Sequence, residues 1–240
     1  MLEAYNYTSR GSRERNEDSA GFMIQKNRGV FVLGDGLGGH ADGEKASQGA
    51  VRSVLDYFSH YPIADGAAEQ AFMKAQKDLE RIQEIENSPH MRTTLSFLGI
   101  EKGIVYRSYV GDSRIYRFSK AGDIERTVDH SIPQMLALSG QIQETDIRKH
   151  PDRNKLLKAM GAVDFSGIPE TLRTCRCKKG DAFLLCSDGF WELITEEEMV
   201  TCLKASSTPK EWVELMANIV NANGAGTDMD NNTALVVMMK

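Results

Sequence analysis

The chain has 240 residues, 41% of them hydrophobic and 26% charged, with a formal net charge of −5. That is enough apolar matter for one sizeable core at the upper end of single-domain size, in an ordinary globular composition. The acidic balance argues against a nucleic-acid surface, no apolar stretch reaches the length of a bilayer span, and no apolar run after Met1 marks a signal peptide.

Apolar runs and alternation predict early strands over residues 4–9, 19–24 and 30–34. Two amphipathic helices follow. Ala46, Ala50, Val51, Val54, Leu55 and Phe58 recur at helical spacing, and so do Ala68, Ala71, Phe72, Ala75, Leu79 and Ile82. A central set of strands spans 93–100, 105–110 and 114–119, with Glu101-Lys102-Gly103 as the first turn. Later strands are expected over 171–177, 182–186 and 233–238. Thr195 and Glu198 signal a helix start before Met199. Thr208 and Glu211 form a capping box, with Pro209 at the first helical position and Trp212, Leu215, Met216, Ile219 and Val220 on one face. Tight turns between neighbouring strands imply antiparallel pairing, and a regular strand–helix alternation is absent. The expectation is an α+β fold of two antiparallel sheets covered by helices. No repeat or linker interrupts it, so residues 1–240 are read as one domain.

One local pattern recurs. An apolar strand runs into a small residue, an Asp, then Gly or Ser: Val32-Leu33-Gly34-Asp35-Gly36, Tyr109-Val110-Gly111-Asp112-Ser113 and Leu185-Cys186-Ser187-Asp188-Gly189. Asp230-Asn231 stands before the last strand, and Glu17-Asp18 before the second. Asp-Gly alone is turn chemistry. Repeated at the ends of core strands, it implies carboxylates converging in one small volume. Left unpaired there, they would repel at a cost on the order of several kcal/mol each. Nearby basic residues are few, so metal ions are the economical counter-charge. An all-oxygen ligand set suits Mg²⁺ or Mn²⁺ and does not suit zinc or copper. Two such ions a few ångströms apart would activate a water and clamp a phosphoryl group.

Three other phosphate chemistries are excluded. Gly34-Asp35-Gly36-Leu37-Gly38-Gly39 contains G-x-G-x-x-G, with Asp56 roughly twenty residues on. Asp35 would repel a dinucleotide phosphate from inside the loop, and the βαβ context is missing. Gly38 to Lys45 approaches a P-loop, but Glu44 stands where Lys is required. The residues six beyond Cys175, Cys177, Cys186 and Cys202 are Asp181, Phe183, Glu192 and Thr208, and none is the Arg that a thiolate phosphate loop needs. The cysteines do not form a disulfide framework and are read as small buried residues.

The motifs together resemble the metal-dependent protein phosphatases of the PPM type (protein phosphatase type 2C) in their compact bacterial form. The matching pieces are Arg13-Glu14-Arg15-Asn16-Glu17-Asp18, Gly34-Asp35-Gly36-Leu37-Gly38-Gly39-His40, Thr93-Thr94, Val110-Gly111-Asp112-Ser113-Arg114-Ile115-Tyr116, Asp129-His130-Ser131, Ser187-Asp188-Gly189 and Asp230-Asn231-Asn232-Thr233. They fall in the family's order over nearly the whole chain. Leu37, where Met is usual, and Asp42, where a small residue is usual, depart from its pattern. Asp42 either adds charge near the site or caps a helix beginning near Glu44.

The resemblance implies a four-layer α/β/β/α sandwich and hydrolysis of phosphoserine and phosphothreonine by metal-activated water. It implies two to three Mn²⁺ or Mg²⁺ per chain. Asp35 would bridge two ions, the Gly36 carbonyl would complete the second site, and Asp188 and Asp230 would hold the first. Asp112 with Asp188 would form a third site, and Glu17 and Asp18 would act through water. Arg13 would take the substrate phosphate and His40 would protonate the leaving oxygen. Residues 131–151 would form a flap beside the site. Phosphorylated proteins would be the substrates of a cytoplasmic monomer opposing a Ser/Thr kinase, with no nucleic-acid or membrane partner. A non-catalytic relative and a hydrolase of small phosphate esters are the competing readings.

Overall fold

A computed structural model describes residues 1–37 and 42–240. Strand β3 (Arg28–Leu37) shows why the chain folds in layers. Val30 and Val32 face one way and Phe31 and Leu33 the other, and all four are buried. A strand apolar on both faces must lie between two packed layers. Val30 and Val32 meet Ala46, Ala50, Val54 and Phe58 of α1 (Asp42–His60), together with Phe72 and Leu79 of α2 (Ala67–Glu86). Phe31 and Leu33 join Phe183, Leu185, Leu235 and Val237 in a core between the two sheets.

The first sheet runs β2 (Asp18–Gln25), β3, β5 (Leu95–Glu101), β6 (Ile104–Val110) and β9 (Glu170–Arg176), with β4 (Arg92–Thr93) paired to the end of β3. The second runs β1 (Leu2–Ser9), β11 (Asn232–Met239), β10 (Ala182–Cys186), β7 (Arg114–Phe118) and β8 (Ile124–Arg126). The pairings are antiparallel throughout. On the far side, α5 (Glu196–Ala205) and α6 (Pro209–Gly224) cover the second sheet, and Trp212, Val213, Met216 and Val220 pack against Leu184 and Val236. Each large side chain so buried contributes about 2–3 kcal/mol relative to exposure. The expected sandwich of two antiparallel sheets between helices is the observed one.

The start signals at Thr195 and Thr208 both mark helix N-caps, since each side chain accepts from the backbone N–H three residues on. The reciprocal bond that completes a capping box is made only at Thr195; the Glu211 carboxylate accepts from Ser207 N–H instead of from Thr208. Other boundaries differ. The strand expected over 93–100 is broken at Thr94. Helix α1 begins at Asp42 rather than near Glu44. Four elements had no clear periodic signal: β8, α3 (Ile132–Leu138), a 3₁₀ turn (Glu144–Lys149) and α4 (Asp188–Trp191). Each is shorter than two helical turns or four strand residues, too short for a period to repeat. Among the described residues no helix is long and apolar enough to cross a membrane.

Candidate active site

The carboxylates come from strand ends that meet at one end of the sandwich. Asp18 opens β2 and stands opposite Asp35 on β3 in the strand register. Asp35 lies inside β3, two residues before its end, rather than in a turn after it. Its backbone is held twice: its N–H donates to Thr94 Oγ1 at 3.0 Å, and its carbonyl accepts from Thr94 N at 2.8 Å and Thr93 Oγ1 at 2.9 Å. Thr94 Oγ1 also meets Ser113 Oγ at 2.7 Å, tying the Asp35 strand to the Asp112 turn. That turn needs glycine at 111. Its φ is +103°, and a Cβ there would stand 2.6 Å from Thr94 Cγ2.

Asp188 is the first residue of α4, and Asp230 precedes β11. Ser187, just before Asp188, donates its hydroxyl to Asp18 Oδ2 at 2.7 Å and accepts from Thr233 N at 3.0 Å. Asn231 ties the N-terminal segment down. Its Oδ1 accepts from Glu17 N at 2.8 Å, and its Nδ2 donates to the carbonyls of Arg10 (2.9 Å) and Arg15 (2.8 Å). The result is a cavity of about 690 Å³ whose lining includes Arg13, Glu17, Asp35, Gly36, Asp112, Asp188 and Asp230.

Crowding and burial act together on these groups. Asp35 is held well above the usual carboxylate range by burial first, then by Asp18, Asp188, Asp112 and Asp230. Asp112 is likewise held well above it, by burial and then by Asp188. Asp18 is pushed up to about 7 by burial, with Asp188 and Asp230 adding and the Ser187 and Thr233 hydrogen bonds opposing. Asp188 rises to about 6 through burial, then Asp230. Glu17 is raised by burial, then Asp230. Carboxyls in this state prefer a proton or a bound cation.

The donor set is all oxygen, and Asp18 Oδ1 is buried with no hydrogen-bond partner. Among the described residues no three His, Cys, Asp or Glu side chains close into a ready-made cage. The mutual electrostatic effects and the shared cavity nevertheless put these carboxylates within reach of one another. An open, partly filled shell suits Mg²⁺ and Mn²⁺, since a hard ion of this kind keeps several waters as ligands. The residues therefore fit a hard divalent cation.

Nearly all the site residues expected from sequence meet here. Asp18 sits behind Asp35 rather than on the cavity wall. Arg13 does not reach free into the cavity: its Nη2 donates to Asp230 Oδ2 at 3.0 Å, in a pair whose side chains are 44% and 39% exposed. His40 lies outside the described residues. Asp42 accepts a hydrogen bond from Ser88 Oγ at 2.7 Å and contributes to raising Glu17. The cavity wall on the flap side is made by Asn154 and Leu156, just beyond the 131–151 range expected for the flap. Glu192 was missed altogether. Burial, then Asp188, lifts it to about 7, while Arg153 Nε donates to it at 3.0 Å. A Glu at the C-cap of a single-turn helix carries no motif, so only the fold discloses it.

The architecture is that of solved bacterial phosphatases. The Staphylococcus aureus serine/threonine phosphatase Stp1 superposes with a TM-score of 0.86 over 100% of this chain and 96% of its own, at 30% identity. The catalytic domain of the phosphatase PstP, solved in complex with two manganese ions, has the same fold with a TM-score of 0.85 over 99% of this chain and 97% of its own, at 24% identity. The serine/threonine phosphatase stp of Listeria monocytogenes is 32% identical over 244 aligned positions, covering 96% of this chain and 93% of its own length. The chain belongs to the protein phosphatase 2C family, whose sequence model matches residues 7–232.

Proposed function

We propose that this chain is a metal-dependent serine/threonine protein phosphatase that hydrolyses phosphoserine and phosphothreonine on protein substrates, opposing a Ser/Thr kinase in the cytoplasm. The observation that carries the reading is the meeting at one cavity of the Asp35, Asp112 and Asp188 carboxylates, each pushed toward its protonated form by burial first and then by its acidic neighbours. A protein gains nothing in stability from such a cluster, so its use is to attract multivalent cations. Asp35, the Gly36 carbonyl, Asp188 and Asp230 would hold two Mn²⁺ or Mg²⁺ ions, and Asp112 with Asp188 a third. Such ions supply an activated water and neutralise phosphoryl oxygens.

The protein's own groups do the rest. Thr93 and Thr94 fix the Asp35 backbone, so the strand end from which its carboxylate projects stays in place as charge enters the cavity. Asp18, oriented by Ser187, keeps Oδ1 available to accept from an ordered water. Glu17 acts beside it. Arg13 exchanges Asp230 for the substrate phosphate. The exposed pair it leaves is worth at most about 1 kcal/mol, while a guanidinium offers a phosphate two parallel donors. His40 is assigned as the leaving-group acid from its motif alone. Residues 1–240 act as one domain and as a monomer, with residues 131–151 as a flap that meets the protein substrate.

The test is a Mn²⁺ and Mg²⁺ titration of chelator-treated protein against phosphoserine, phosphothreonine and phosphotyrosine peptides and a nucleoside monophosphate. Turnover of the first two peptides should appear only with metal. Undiminished turnover in chelator would end the metal reading, and a preference for the nucleotide would move the substrate class to small esters.

A further inference from the structure

Trp191 is 2% exposed in the core beneath α5 and α6. Its indole N–H does not serve that core. It donates to the backbone carbonyl of Asp112 at 3.0 Å. Trp191 closes the single turn of α4 that Asp188 opens, so one rigid turn carries the Asp188 carboxylate at one end and the hydrogen bond to Asp112 at the other. The turn is closed by Trp191 N–H donating to Ser187 O at 3.2 Å and Glu192 N–H donating to Asp188 O at 2.9 Å.

The ring is itself held. The guanidinium carbon of Arg114 lies 3.4 Å from the ring centroid. Arg114 is in turn fixed by two bonds to Asp129, at 2.9 and 2.7 Å, and one to Tyr116 Oη at 3.1 Å. Arg148 adds a hydrogen bond to the Trp191 carbonyl and sits 5.6 Å from the ring. On the other side of Asp112, Gly111 exchanges backbone and ring hydrogen bonds with His130. Asp112 thus has its peptide clamped from two directions, and the indole is the clamp that comes from the element carrying Asp188. A buried phenylalanine would fill the same apolar space without an N–H to place.

We infer that Trp191 is a positioning residue that sets the spacing of Asp112 from Asp188 and so tunes the affinity for the cation held between them. This rests on the reading above, in which those two carboxylates share an ion. Groups that orient metal ligands typically change metal affinity by about 10–100-fold when removed.

Trp191→Phe keeps a ring for Arg114 to lie on and deletes only the donor. Chelator-stripped wild type, Trp191→Phe and Asp112→Asn are each titrated with Mn²⁺ by calorimetry without substrate, and their turnover is measured against Mn²⁺ concentration. In Trp191→Phe the weakest Mn²⁺ site should lose about tenfold in affinity with the tighter sites unchanged. Turnover at saturating Mn²⁺ should return to within about twofold of wild type. A wild-type isotherm with a lowered Tm would reduce Trp191 to packing and overturn the inference, as would equal weakening of every site. An Asp112→Asn isotherm matching wild type would overturn the shared-ion reading beneath it, a separable result. A second measurement needs no change at Trp191. The chain has two tryptophans, so Trp212→Phe leaves one indole ¹⁵N–¹H signal. That signal should shift as Mg²⁺ fills the weakest site, and no shift up to saturation would also overturn the proposal.

Discussion

Replacing Asp18 by Asn should make the metal-free protein more stable near neutral pH. Asp18 lies opposite Asp35 and off the cavity wall, with Oδ2 accepting from Ser187 and Oδ1 unpartnered. Burial, reinforced by Asp188 and Asp230, lifts it from its ordinary 3.8 to about 7. Between those values the folded chain keeps a proton that the unfolded chain has released, so this group's stabilisation is complete below pH 4 and is lost as pH rises through 7. A gap of about three units at ~1.4 kcal/mol each corresponds to about 4 kcal/mol lost by pH 7.5. Asparagine has no such proton, and its amide oxygen can still accept from Ser187. In chelator at pH 7.5 the Asp18→Asn protein should therefore melt higher than wild type, by roughly ten degrees for a chain of this size. The difference should shrink toward zero as the pH is lowered to 4, and Mn²⁺ at pH 7.5 should stabilise wild type more than the variant. The assay is thermal melting from pH 4 to 8, with and without Mn²⁺. A variant less stable than wild type in chelator at pH 7.5, or a difference that ignores pH, would refute the claim that unmet negative charge is concentrated here.

Arg13→Ala should leave Tm unchanged, because its pair with Asp230 is exposed, while KM for a phosphothreonine peptide rises about tenfold or more; steady-state kinetics that match wild type would remove Arg13 from the site. In Gly43→Ala the new Cβ would stand 2.8 Å from the Glu17 carboxylate and 2.9 Å from the Gly36 carbonyl carbon. It should destabilise by about 1–3 kcal/mol and weaken Mn²⁺ activation, and wild-type melting and metal dependence would show that α1 does not press on Glu17. His130 is lowered to about 4 by burial and then by Lys158, against the opposing pull of Glu170 and Asp129. Its contribution is full above about 6.5 and is lost as pH falls toward 4, a sign opposite to that of Asp18. His130→Asn, which can keep an acceptor for the Gly111 N–H, should flatten this acid limb of the melting profile, and an unchanged limb would show that His130 does not set it.

What could be read from the chain beforehand follows from what leaves a local mark. The three layers of apolar packing were legible because β3, β5, β10 and β11 are apolar on both faces, and α1, α2 and α6 carry their buried residues at helical spacing. Asp35, Asp112, Asp188 and Asp230 were legible for a related reason: a charge beside a buried strand is conspicuous. The supporting groups left no such mark. Asn231 has no charge and sits in a loop, yet its amide makes three bonds to the backbone of residues 10–17 and so holds Arg13 and Glu17 at the cavity. Ser187 reads as the small residue before an Asp, and only the meeting of the end of β10 with the start of β2 reveals that it orients Asp18. Glu192 becomes significant only because α4 turns it toward Asp188. The pattern has one physical origin. Which groups demand a counter-ion is decided by charge and burial, properties that each residue carries in its own type and neighbours. What keeps those groups apart until the ion arrives is decided by hydrogen bonds between residues about 20 to more than 200 positions distant, which no short window along the chain contains.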